Sequence, residues 1–334
     1  MPTYKESGVD FDSVGAFRDA IIRNLTYRGG KYRRAISIGH YSGLVSFGDR
    51  YIAVHTDNVG TKTILALRYR YFEEIGNDLV GMNVNDIICI GAEPMAMVDY
   101  IAGSVQDGAI GESIGRSIDR ASRDANVAFV GGETASVPDL IQGIDISGTV
   151  VGLVRKDRLL KGSGIRPGDR IIGLPSSGFH SNGFSLLRKI YEGREDDLEF
   201  VVEGTHFWRR LLAGTRIYSK SVFPLIGNIE IHGISHITGG GVRNISRLKG
   251  MLYEMEFPEI PYIFRKVIED GSIPIRDAFQ TFNMGIGMII ILPKKEVRNA
   301  MDELDKLAPQ EIGEVKRGNG VHLRNYDLKY EGYY

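Results

Sequence analysis

YIAVHTDNVGTKT, residues 51–63, opens as a strand and stops being apolar within a few residues. Tyr51, Ile52, Ala53 and Val54 form an apolar, partly β-branched run of the kind that fills a sheet. Asp57 follows at once, then Asn58, Gly60, Thr61 and Lys62, which the pattern leaves exposed. Two readings compete. In the first, Asp57 caps a helix or pairs with a cation at an ordinary turn, the commoner fate of an acid at a strand end. In the second, outward N–H groups of the turn hold phosphate, Asp57 offers a hard oxygen to a metal, and Lys62 offsets phosphate charge.

The flanking segments make this an α/β chain. MAMVDYIAG (95–103) and DISGTVVGLV (145–154) read as strands, and VAFVGGET (127–134) as a strand ending in its double glycine. NDLVGMNVNDIICIGA (77–92) has apolar residues at helical spacing and closes on glycine. IGESIGRSIDRASRDAN (110–126) is an amphipathic helix with Ile110, Ile114, Ile118 and Ala121 along one face. The polar connector RKDRLLKGSGIRPGD (155–169) then mixes charges, glycines and a proline, as domain boundaries do. It predicts two domains, 1–165 and 166–334. The second restarts with a strand in DRIIGLPSSG (169–178) and a helix in SNGFSLLRKIYEG (181–193). MGIGMIIILP (284–293) is a buried strand, KKEVRNAMDELDKL (294–307) a helix, and EIGEVKRG (311–318) and VHLRN (321–325) are short strands.

Composition excludes several classes. The 334 residues carry Lys+Arg 41 against Asp+Glu 42, net −1, so no bulk field draws nucleic acid or an anionic membrane. No apolar run reaches the roughly 18 residues of a membrane span. The first residues hold no apolar leader, and the single cysteine, Cys89, sits in an apolar run and forms no internal disulfide, so a reducing cytoplasm is expected. Cys89 reads as a small core residue. The basic group Arg28, Lys31, Arg33 and Arg34 reads as a solvated loop face, with an anion-attracting entry loop as the alternative. The anomaly is glycine, 42 of 334 residues, nearly twice the usual share and gathered between strand and helix signals.

Four glycine-rich segments follow strands: HTDNVGTK, FVGGETASVPD, LPSSGFHSNGFS and SHITGGGVRN. The acidic NVNDIICIGAEP joins them. Asp57, Asp86 and Glu133 are oxygen donors of the kind Mg²⁺ takes, one or two carboxylates completed by phosphate and water. GxxxxGK[ST] and a GxGxxG after the first strand are both missing, which argues against a P-loop and a dinucleotide fold. No two of the seven histidines have zinc-type spacing beside acids, and His180 and His236, taken singly, read as turn residues.

In order along the chain stand YKESGVD (4–10), DNVGTK (57–62), NDLVGMNVNDIICIGAEPMAMVDY (77–100), VGGETASVPD (130–139), SSGFHSNGFSLLRK (176–189), TRIY (215–218), HITGGGVRNI (236–245) and TFNMGIGM (281–288). Together they resemble the phosphoribosylformylglycinamidine cyclo-ligase family, from Tyr4 to the closing EIGEVKRGNG. Some of these motifs are shared with selenophosphate synthetase and thiamine-phosphate kinase. The resemblance implies an N-terminal α/β domain whose sheet closes into a barrel with a twin in a homodimer, and a C-terminal α/β domain that completes a cleft. It implies ATP and Mg²⁺ as cofactors, formylglycinamidine ribonucleotide as the other substrate, and no nucleic-acid or membrane partner. It assigns Asp57, Asp86 and Glu133 to metal. Gly39, Gly43, Asn58, Gly60, Thr61, Lys62, Gly131, Gly132 and Thr134 fall to the nucleotide. Lys62, Asp86 and His180 fall to catalysis.

The ribose phosphate goes to one of two turns, Ser177, Gly178, His180, Ser181, Asn182 and Gly183, or Gly239, Gly240 and Gly241; the sequence leaves the choice open. Ser181 and Asn182 are also good N-caps for the helix that follows. Two other readings stand beside the cyclo-ligase. A selenophosphate synthetase would carry a reactive cysteine near its start, which is lacking here. A non-catalytic nucleotide-binding scaffold would have lost its acids, which are present.

Overall fold

The computed structural model describes residues 11–27, 29–35, 41–105 and 107–331, with side chains from residue 13 onward. Gly39 and Arg28, singled out above, lie outside the described residues, as does YKESGVD. The architecture is mixed α/β, built on two sheets.

The first half runs α1 (Phe11–Asn24), β1 (Gly43–Phe47), β2 (Arg50–Asn58), α2 (Lys62–Arg68), α3 (Ile75–Ile88), β3 (Glu93–Gly103), α4 (Gly108–Ala125), β4 (Ala128–Ser136) and β5 (Ile144–Arg155). Its five strands pair in the order β1-β2-β5-β3-β4. All neighbours are antiparallel except β3 and β4, which α4 links as a crossover. β5 at the centre shows strict alternation: Ile144, Ile146, Val150 and Val154 are buried while their neighbours are half-buried. The buried side meets α3, and α4 packs on α3 behind it. The other face, carrying Val54, Val98 and Tyr100, is open.

The second half runs β6 (Arg170–Pro175), α5 (Phe184–Ile190), β7 (Val201–Val202), β8 (Thr205–His206), α6 (Phe207–Leu211), α7 (Ser219–Val222), β9 (Gly233–His236) and β10 (Leu252–Met255). Then come α8 (Tyr262–Asp270), α9 (Ile275–Thr281), β11 (Ile286–Leu292), α10 (Val297–Glu303), β12 (Gln310–Lys316), β13 (Gly320–Leu323) and β14 (Leu328–Tyr330). A seven-stranded sheet orders β14-β13-β10-β12-β6-β11-β9, and β7 and β8 form a small ribbon. β11 is buried at every position, because the IGMIIIL run is covered on both faces. The edge strand β9 abuts α3 of the first half, so α3 is enclosed by both sheets. That enclosure explains why all of α3 except Asn77 is buried, and why its polar residues have partners in both halves.

Four expectations change. β4 does not end at its double glycine but continues through Gly131, Gly132 and Glu133 to Ser136, paired with β3 across a bulge at Met97 and Val98. The helix after SSGFHSNG starts only at Phe184, with the left-handed Gly183 at its cap position and no side-chain cap, so Ser181 and Asn182 are not caps. A Cβ at Gly183 would lie 2.3 Å from the Phe282 ring, which forces glycine there. KKEVRNAMDELDKL is broken into α10 between two short 3₁₀ turns. The tight point after β2 is Gly60, at φ +69°, and it is followed directly by α2, so Lys62 turns inward instead of outward.

Candidate active site

The end of β2 is read by α3. Asn83 accepts the Asp57 N–H at 3.1 Å and donates back to the Asp57 carbonyl at 3.3 Å and to Leu79 O at 2.8 Å. One helix turn on, Asp86 faces the same place. Its Oδ1 accepts from His236 Nδ1 at 2.7 Å, and its Oδ2 lies 3.5 Å from His55 Nε2. Because an ionised carboxylate only accepts, His236 carries its proton on Nδ1, and its Nε2, 3.5 Å from Asn85 Nδ2, is left as an acceptor.

The two acids differ in charge balance. Burial, and then the neighbouring charge of Asp86, raises the Asp57 carboxyl above its ordinary value. Burial acts on Asp86 in the same direction, but His55 and the bond from His236 outweigh it and hold that carboxyl below the usual range. The Asp86 charge disfavours that of Asp57, so the two carboxylates form an oxygen-donor pair whose strain a divalent cation would relieve. Among the described residues no three His, Cys, Asp or Glu side chains gather as a metal-binding group.

Lys62 behaves unlike the exposed residue the sequence suggested. It is fully buried. Its Nζ is 2.7 Å from Asp78 Oδ2, and it donates to Ala213 O at 2.7 Å and to His180 O at 3.1 Å. Thr61, at the head of α2, meets Ser185 of α5, hydroxyl to hydroxyl, at 3.1 Å.

His180 is fully buried in a left-handed backbone conformation, φ +58°. Its Nε2 accepts the N–H groups of Ser177 and Arg216, both at 3.4 Å. Nδ1 therefore bears the hydrogen, and it has no partner. Burial, followed by the neighbouring His236 and the charges of Lys62 and Arg216, pushes this imidazole well below its ordinary pKa, so it is neutral. Ser181 Oγ and Asn182 Nδ2 beside it are also buried and unpartnered. The two glycine-rich turns that the sequence left as alternatives touch: a Cβ at Gly239 would sit 3.0 Å from Asn182 Oδ1. Gly240 and Gly241 follow in left-handed conformation, and a Cβ on Gly241 would meet Phe279 O at 2.0 Å.

The sheet thus brings Asp57, Asp86 and the turn through Gly60 and Thr61 together with residues 177–183 and 236–241. It does not bring Glu133. Asn58 pairs with Ser147, Ser147 with Tyr100, and Tyr100 with Glu133, so Glu133 stands three strands from β2, on the order of 14 Å. It shares the open face with Tyr100, whereas Asp57 points to the helix side, and one ion cannot join the two within a chain. Gly131, Gly132 and Thr134 travel with it on β4. Gly43 begins β1, at the far edge. A cavity of about 1140 Å³ lies elsewhere, between α4 and the β3–β4 edge, lined by Ile101, Ile114, Ile118 and Phe129.

Sequence reasoning passed over His55, Asp78, Asn83 and Asn85, and set His236 aside. The signal was present in α3: Asp78, Asn83, Asn85 and Asp86 are polar residues buried in a largely apolar helix, and buried polar groups require partners.

Two family models match this chain: AIR synthase related protein, N-terminal domain, over residues 39–154, and AIR synthase related protein, C-terminal domain, over 166–324. Solved structures share the fold. A thiamine monophosphate kinase from Aquifex aeolicus aligns at TM-score 0.62 with 19% identity over 96% of this chain and 99% of that one. The hydrogenase maturation protein HypE in complex with ATP aligns at 0.63 and 19%, over 99% and 96%. Curated relatives are much nearer. The phosphoribosylformylglycinamidine cyclo-ligase of Thermococcus kodakarensis is 42% identical over 98% of this chain and all of its own length. That of Methanocaldococcus jannaschii is 40% identical over 94% of this chain and 92% of its own. The chain belongs to the phosphoribosylformylglycinamidine cyclo-ligase family, and it is a ligase of purine biosynthesis.

Proposed function

We propose that the paired carboxylates Asp57 and Asp86, set against the 177–183 and 236–241 turns, are where this ligase binds ATP and closes the imidazole ring of formylglycinamidine ribonucleotide, releasing ADP and phosphate. The observation that carries the reading is that pair: a half-buried carboxylate at the end of β2 and a buried one on α3, beside turns that leave polar atoms unpartnered. The donor set suits Mg²⁺ bound to nucleotide phosphates, and Mg²⁺ would supply charge neutralisation there. Asn58, Gly60 and Thr61 lie next to the phosphates.

In the C-terminal half, Ser181, Asn182 and Gly239–Gly241 form one cradle for the ribose phosphate, a reading supported by the contact between the two turns. His180 is neutral and holds a free Nδ1–H, so it suits the role of a hydrogen-bond donor to the amide oxygen rather than that of a base. Orientation then does most of the remaining work, since ring closure is intramolecular. We place the division between domains at residues 165 and 166, the activity in the cytoplasm, and the working form as a homodimer joined through the open face of the first sheet.

The test is an assay with formylglycinamidine ribonucleotide and ATP, following ADP and the aminoimidazole product. Asp57→Asn and Asp86→Asn are each expected to lower kcat about a hundredfold or more with the melting temperature preserved. Wild-type turnover in both variants removes the carboxylates from the site, and no turnover by the unmodified protein removes the function.

A further inference from the structure

We infer that Lys62 is a positioning residue: with Asp78 it clasps the C-terminal half and sets the place of His180, and it does not touch phosphate. The inference rests on the reading of His180 as part of the active centre.

The first argument is a count of donors. An ammonium group has three N–H bonds. Those of Lys62 face Asp78 Oδ2, Ala213 O and His180 O, at 2.7, 2.7 and 3.1 Å. The Phe184 ring, 5.3 Å away, lies against the same group. No donor remains for an anion, and no path to solvent exists for a side chain with no exposed surface.

The second argument is where the far ends lead. Two of the three partners lie across the seam between the halves. Asp78 continues the clasp through its other oxygen, which accepts Thr215 N–H at 2.9 Å and Thr215 Oγ1–H at 2.7 Å. Arg216, the next residue, donates its N–H to His180 Nε2. His180 is therefore held from both sides by one connected set, its carbonyl by Lys62 and its ring by the stretch of chain that Asp78 fixes. The remainder of that stretch, an irregular connection, is read from α3 in the same way. Glu74 accepts from Gly214 N at 3.1 Å, and Asn85 donates to Arg216 O at 2.9 Å and accepts from Tyr218 N at 3.0 Å. Glu74, Asp78 and Asn85 fall on one stripe of the helix, four and seven residues apart.

The geometry separates two roles by measurement. A phosphate ligand contributes to ATP affinity; a clasp contributes to kcat through His180 and leaves ATP affinity alone. Lys62→Met with Asp78→Leu removes both charges together, since a lone buried charge would unfold the chain. Thr215→Val is the milder second variant, at a residue given no nucleotide contact above.

Expected for the charge-free double variant are an ATP Kd within about threefold of wild type, a kcat lower by about tenfold or more, and faster amide exchange in residues 213–218 than in β5. Thr215→Val should show the same pattern more weakly. Trp208, the single tryptophan, stacks on Tyr69 across the seam at 4.4 Å between ring centres, so its emission reports the loosening. A tenfold weaker ATP Kd with exchange in 213–218 unchanged overturns the inference, and so does wild-type kcat in both variants. If the double variant does not fold, Thr215→Val decides alone by the same criteria. ATP binding, exchange and Trp208 emission need no turnover, so a protein that fails to close the imidazole ring would sink the functional reading while leaving these arms to judge the clasp.

Discussion

Burial fixes the charge state of His180. The side chain is enclosed, and its Nε2 is occupied by two backbone N–H groups. Protonation of the folded protein is therefore disfavoured, while the unfolded chain takes up a proton near pH 6.5. With the folded value below the unfolded one, the unfolded state binds more protons as pH falls. The stability is fully present above pH 6.5 and declines below it, at up to about 1.4 kcal/mol per pH unit, until the folded value is reached. Asp57, with its raised value, works in the opposite sense: its stabilisation is present at low pH and is lost as pH rises through the folded value. The expected outcome is that His180→Asn, which tolerates the left-handed backbone, flattens the slope of stability between pH 6.5 and 5. Equilibrium denaturation of both proteins across that range checks it; parallel slopes would mean that His180 is protonated when folded.

At the scale of elements, glycine decides how closely helices approach. A Cβ on Gly76 of α3 would lie 2.2 to 2.4 Å from the backbone of Ser117 and Ile118 in α4, so backbone would have to move. Gly76→Ala should cost about 2 kcal/mol or more. Gly115 on α4 has nothing within 4 Å of the same position, and Gly115→Ala should add about 0.5–1 kcal/mol. Urea unfolding of the two variants reads both signs. The same elements show what the sequence made legible. α4 was plain because Ile110, Ile114 and Ile118 repeat at helical spacing, and β11 because seven apolar residues run unbroken. α1, β1 and α2 were not anticipated: α2 is seven residues long and begins on a lysine whose burial depends on Asp78 and two carbonyls more than a hundred residues away. Asp57 and Asp86 could be proposed from local pattern, yet their histidine neighbours could not, since His236 reaches α3 only through the pairing of β9 in another sheet. Glu133 is not brought to Asp57 and Asp86 within the chain for the complementary reason: strand register, which local pattern does not state, puts it on the opposite face.

At the scale of the whole molecule, the first sheet is unfinished. Its face exposes Val54, Val98 and Tyr100, and β4 ends the sheet as an uncovered edge with Val130 outward. Val98→Asp should convert the proposed dimer into a monomer and abolish most activity, whereas the unmodified protein should remain dimeric at micromolar concentration. Sedimentation velocity with parallel assays checks both, and a fully active wild-type monomer would contradict the homodimer. The seam between the halves bears on inheritance as well as on catalysis. Tyr41 of the first half sends its hydroxyl to Ser235 at 2.6 Å and Asn244 O at 3.2 Å in the second, just as α3 sends its side chains to residues 213–218. Two segments that match separate family models are thus locked by reciprocal contacts. A chimera that joins this N-terminal half to the C-terminal half of a distant relative inherits half of each lock, and the two halves can be exchanged only as far as both sides of the seam are exchanged with them.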